Sequence, residues 1–161
     1  MKRAILHVGA PRTGTSSLQK LLAGRRDRLL EAGVLYPELT PRSADRPHLS
    51  HQHLGEALDG RRPRAERREL LEALDAALAS TGADVALLSY ERLWLAWPWR
   101  RLPRVLADLC ARRGFRPEVL VTVRPQAELI QSQYGWRLQF LREDRPFAAA
   151  FGADLHDGPA P

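Results

Sequence analysis

The sequence predicts an α/β fold, a mostly parallel central sheet flanked by helices in three layers. Three observations lead there. Short runs rich in β-formers recur as AILHV at 4–8, DVALLSY at 84–90 and PEVLVTV at 117–123. Each is nearly continuously apolar, the pattern of a strand covered on both faces as in parallel sheets. The segments between them carry leucines at helical spacing, and alternating strands and helices are the signature of such a layered sheet.

Taken in order, AILHV is a buried strand ended by Gly-Ala-Pro. From Thr15, the leucines at 18, 21, 22, 29 and 30 predict a helix for which Gly33 supplies the stop. Residues 36–53, broken by prolines and holding three histidines, read as an irregular connection. A short helix around 53–58 and a longer one over 63–80 follow, the second with Leu70, Leu71, Leu74 and Leu78 on one face. After the second strand, RRLPRVLADLCARRG at 100–114 is a helix closed by Gly114; after the third, QAELIQSQYGWRLQFL at 126–141 is another. Residues 1–150 are expected to form one domain and 151–161, with glycine, proline and no periodicity, a flexible tail.

Composition narrows the function classes. A chain of 161 residues with 44% hydrophobic and 27% charged residues is long enough and apolar enough to bury a continuous core. The formal net charge of +6 comes almost wholly from arginine, Lys2 and Lys20 being the two lysines. The arginine pairs are scattered over helix-like segments without interleaved aromatics or a nucleic-acid motif, so they read as solvated faces and nucleic acid is not expected as a partner. No 18-residue apolar stretch and no signal-like leader are present, so no membrane partner is expected and a cytoplasmic location is the default. Cys110 is alone, which excludes an internal disulfide and leaves it as a core thiol.

The most informative stretch is HVGAPRTGTSSLQ at 7–19. A strand running through a glycine turn into a helix gathers backbone N–H groups and the positive end of the helix dipole around one point, which suits an anion. Gly9 and Gly14 have the spacing of the GxxxxG nucleotide loop, which makes the fold P-loop-like, but Thr15 stands where that loop has lysine. A kinase bridging β- and γ-phosphates would lack its main cation. The nearby cation is Arg12. Read from the residues alone, the loop is a phosphate or sulfate nest, a P-loop kinase without its lysine, or a plain glycine turn.

Residues 11–18, PRTGTSSL, resemble the 5′-phosphosulfate loop of sulfotransferases that use 3′-phosphoadenosine 5′-phosphosulfate (PAPS). The resemblance implies that Arg12 contacts the phosphosulfate bridge and that Thr13, Gly14, Thr15, Ser16 and Ser17 complete the cradle. A second match follows the third strand. VTVRPQAELIQSQY supplies Arg124 and, eight residues later, Ser132, the pair that holds the 3′-phosphate in that family. The likeness runs through most of the chain, including LLSYERL at 87–93, and is nearest to bacterial sulfotransferase-like proteins. It implies sulfuryl transfer from PAPS to a hydroxyl or amine on a small-molecule or glycan acceptor. The alternative is a non-catalytic nucleotide- or anion-binding module of the same fold.

For this chemistry Arg12 is the group expected to stabilise leaving-group charge, by analogy with phosphoryl transfer. Glu91, at the carboxyl end of the second strand, is the expected general base; its other possible roles are capping the next helix or pairing with Arg92 or Arg124. No metal site is expected: His51 and His53 cannot share a helical face and no acid or thiol completes a set around HLSHQH, which reads as a mobile substrate-side loop. His7 reads as a core histidine. Trp94, Trp97 and Trp99 suit either an acceptor wall or loop packing, and Tyr134 either the cofactor border or the core. Relatives continue with a further strand and a basic, glycine-containing loop that finishes the nucleotide pocket, and nothing after Arg145 supplies them. The chain is therefore expected to be a fragment, or a compact variant that borrows the missing wall from a second copy in a homo-oligomer.

Overall fold

The strands expected from the sequence assemble as expected, with one more beside them. In a computed structural model, which describes residues 1–9, 12–90, 102–140 and 142–156, they form a four-stranded sheet in the order β2-β3-β1-β4. The strands are β1 (Lys2–Gly9), β2 (Val34–Leu35), β3 (Val85–Ser89) and β4 (Phe115–Thr122). All neighbouring pairs are parallel. The two-residue β2, which extends the sheet beside β3, is too short to produce a pattern of its own.

Register explains how the layers form. β1 pairs in step with β3, Ala4 with Ala86 and Leu6 with Leu88, so these residues share one face. That face is buried in a continuous apolar core with leucines of α3 (Gln52–Leu58) and α4 (Arg64–Ser80) and with Leu106, Leu109 and Cys110 of α5 (Leu102–Arg112). Leu54, Leu70 and Leu74 are fully enclosed there. His7 and Ser89 point to the other face, where Gln19 of α1 (Thr15–Ala23) meets them. The result is the expected three-layer α/β arrangement, parallel throughout.

The helix expected from Thr15 to Gly33 is two helices. α1 ends at Ala23 because Gly24 caps it, its N–H donating to Lys20 O at 3.0 Å, and α2 (Arg26–Glu31) starts anew. Gly33 then stops α2 with φ 78°, a left-handed conformation that glycine adopts without strain. Gly55 has a different necessity. A Cβ there would run into the ring of Tyr90, whose Cδ1 and Cε1 would lie 2.1 and 2.3 Å from it.

The chain forms two compact units, Met1–Val123 and Arg124–Pro161. In the second unit α6 (Gln126–Gln139) is followed by α7 (Phe147–His156), so the tail expected from residue 151 is helical as far as His156. An aromatic cluster holds it. Tyr134 lies edge-on to Phe147 and Phe151, with ring centroids 5.1 and 6.1 Å away, and its hydroxyl donates to Arg145 O at 2.8 Å. Tyr134 thus packs half-buried in this aromatic cluster, not in the core that was one of its two expected places. Among the described residues no helix is long and apolar enough to cross a membrane.

Candidate functional site

The loop between β1 and α1 leaves the middle of the sheet at its carboxyl edge, the side on which open α/β sheets receive ligands. Its backbone is unusual at two alternate positions. Arg12 has φ 75° and Gly14 φ 85°. For glycine this costs little; for arginine the left-handed region is disfavoured by about 1 kcal/mol or more. Left-handed residues interleaved in a turn make successive N–H groups converge, the geometry of an anion-binding nest. Gly14 is also the residue before α1, so the amides of the first turn, at residues 15–17, face the same end of the loop.

Side chains divide the loop. Arg12, Ser16 and Ser17 are exposed, whereas Thr15 is buried at 3% exposure and Thr13 half-buried. The hydroxyls expected to act together thus have different surroundings, with those of Ser16 and Ser17 open to solvent. Thr13 Oγ1 lies 3.2 Å from Thr122 Oγ1 at the end of β4, and Thr122 Oγ1 also donates to Val8 O at 3.3 Å. Thr122 clamps the loop to the sheet. Gly9 is required by the same contact: a Cβ there would collide with Thr122 Oγ1 and lie 2.7 Å from Thr122 O.

Under the loop lies a buried polar network that spacing along the sequence did not show. His7 Nδ1 is 2.8 Å from Ser89 Oγ, and Gln19 Nε2 donates to the same oxygen at 3.1 Å. The Ser89 N–H donates to His51 Nδ1 at 2.9 Å, and His51 Nε2 reaches Pro37 O at 2.9 Å. These two partners fix the His51 tautomer: Nδ1 accepts, so Nε2 carries the hydrogen. Burial pushes His51 down to about 4, and burial lowers His7 as well. Both are neutral at ordinary pH. Ser89 is 0% exposed, so the Ser89–His7 pair is out of reach of an outside substrate and is a structural tie between β1, β3 and α1.

His51 also corrects the expected mobile histidine loop. It is 2% exposed, packed edge-on to Tyr36 with centroids 4.7 Å apart, and hydrogen-bonded to β3 through both its ring and its backbone N–H. His48 and His53 pack edge-on at 5.8 Å. Among the described residues no group of three potential ligands could hold a metal ion. Cys110 is a buried core thiol, raised to about 11 by burial.

Glu91 lies outside the described residues, as do Trp94, Trp97 and Trp99. What precedes Glu91 is well defined: the Tyr90 N–H donates to His7 O at 3.1 Å, continuing the β3–β1 ladder beyond Ser89. Arg124 and Ser132 belong to the second unit, where Arg124 Nε donates to Glu128 Oε2 at 3.2 Å and Ser132 sits half-buried on α6. Arg124 follows Thr122 by two residues in the chain.

Chemically, the loop offers converging amides, a helix N-terminus, two exposed hydroxyls and one exposed guanidinium, a set suited to a sulfate or phosphate group. Compared with known proteins, the chain matches no family model and no curated relative.

Proposed function

We propose that this chain binds PAPS and transfers its sulfuryl group to a hydroxyl or amine on a small-molecule or glycan acceptor. The observation that carries this reading is the pair of left-handed residues at Arg12 and Gly14, in a loop that joins the interior strand β1 to α1 and presents arginine without a P-loop lysine. Holding an arginine in a disfavoured conformation is common where backbone amides must converge on a ligand. A phosphosulfate fits that donor set: several neutral N–H donors, hydroxyls, and one cation at the bridge.

In this reading the acceptor oxygen or nitrogen forms a bond to sulfur while the bond from sulfur to the bridging phosphate oxygen breaks. The acceptor's proton passes to the Glu91 carboxylate. The guanidinium of Arg12 offsets charge growing on the departing phosphate, and the amides of residues 13–17 hold the sulfuryl oxygens in line. Arg124, with Ser132, serves the 3′-phosphate as a two-pronged donor.

Calorimetric titration with adenosine 3′,5′-bisphosphate, ATP with magnesium, and sulfate tests the reading. The bisphosphate is expected to bind most tightly. Arg12→Ala and Arg124→Ala should each weaken it by about 1.5–3 kcal/mol, the size of a charge-assisted contact. Preference for ATP with magnesium would point to a kinase, and tight bisphosphate binding with no sulfuryl transfer to any acceptor to the non-catalytic module.

A further inference from the structure

Away from the loop, α4 and α5 lie side by side and leave an open groove of about 920 Å³ between them. Each helix gives it one stripe. On α4, residues 64, 67, 68, 71, 72 and 75 recur at the three- and four-residue spacing that puts side chains on one face, and residues 105, 108, 109 and 112 do the same on α5. The floor is apolar, built from Leu71, Val105 and Leu109, which pack against or within the core. The walls are basic.

The acids in the groove do not cancel that charge. Asp75 is bound by Arg113, whose Nε donates to it at 2.8 Å, and Glu72 faces Arg68 at 4.0 Å. Arg64, Arg67 and Arg112 make no ion pair among the described residues, although Arg112 adds to Arg113 in lowering the pKa of Asp75; Asp108 is the remaining acid of the lining. Arginines that look scattered in the sequence are thus gathered along an apolar trough.

We propose that the α4–α5 groove docks an acidic amphipathic helix of a partner protein. The match is one of charge and of polarity together. A helix with leucines along one stripe covers the partly exposed Leu71 and Val105, while glutamates or aspartates beside that stripe meet Arg64, Arg67 and Arg112. A nucleic acid or other uniform polyanion satisfies the arginines and leaves the apolar floor in water, so it is the poorer fit.

The test is fluorescence anisotropy of a labelled designed peptide, about five helical turns long, with leucine at i, i+3, i+4 and i+7 and glutamate elsewhere, added to the full chain. Comparison ligands are a scrambled peptide of the same composition and a short DNA duplex. The ordered peptide is expected to bind at least about tenfold more tightly than either, and the exposed double variant Arg64→Glu/Arg112→Glu to weaken it by about tenfold or more with an unchanged melting temperature. Equal binding of the scrambled peptide or the duplex, no binding of the ordered peptide, or full binding by the charge-reversed variant overturns the proposal.

Discussion

At the scale of single residues, contacts across the sheet decide what the candidate site tolerates. Gly9 and Thr122 are register partners on β1 and β4, and any Cβ at position 9 meets both the hydroxyl and the carbonyl of Thr122. Gly9→Ala is therefore expected to cost about 1–3 kcal/mol, as overpacking does. Thr122→Ala should rescue it only in part, because the carbonyl stays; urea unfolding of the two single variants and the double one measures this. Ser89→Ala removes the oxygen shared by His7 and Gln19 and should cost about 1–3 kcal/mol, the penalty for stranding buried polar groups. His51 gives the pH dependence. Its folded pKa of about 4 lies below the 6.5 of the unfolded chain, so the unfolded state binds the proton first. The stability it contributes is complete above pH 6.5 and is lost as pH falls to about 4, roughly 3 kcal/mol in all at about 1.4 kcal/mol per pKa step. His7 acts in the same direction. His51→Gln should flatten that part of the curve of unfolding free energy against pH. None of these partners was legible in the sequence, since each joins residues tens of positions apart. The loop was legible because its glycines and hydroxyls are contiguous.

Elements were read best where a period repeats. The leucines at 70, 74 and 78 lie a helical turn apart, and all three are buried in α4, so the sequence alone located both the helix and its core face. Leu74→Ala is expected to lower stability by about 2–5 kcal/mol, measurable by denaturant unfolding. Local signals failed where a packing contact overrode them. The break after α1 rests on one glycine, Gly24, inside an otherwise continuous leucine pattern. β2 exists through its pairing with β3, and α7 is held by the aromatic rings of Tyr134, Phe147 and Phe151. The need for glycine at 55 comes from the ring of Tyr90, 35 residues away in the chain, and has no local signal. Gly55→Ala should destabilise by about 1–3 kcal/mol, whereas Gly135→Ala on α6, where a Cβ meets nothing within 4 Å, should be neutral or stabilising by a few tenths to about 1 kcal/mol.

For the molecule as a whole, strand order gives the loop its setting. β1 lies between β3 and β4, so its carboxyl end is flanked by Ser89 on one side and Thr122 on the other, and both tie into the turn or the strand beneath it. Thr13, next to Arg12 with its φ of 75°, is tied to the end of β4, and this setting is the reason for proposing a phosphosulfate at this edge. The most direct measurement is backbone amide NMR of the full chain during titration with adenosine 3′,5′-bisphosphate. The largest shifts are expected at the amides of residues 12–17, with a second set at Arg124 and in α6, both needing at least about tenfold more nucleotide in Arg12→Ala. Shifts confined to other surfaces, or a loop that stays unmoved at saturating nucleotide, would contradict the proposed site.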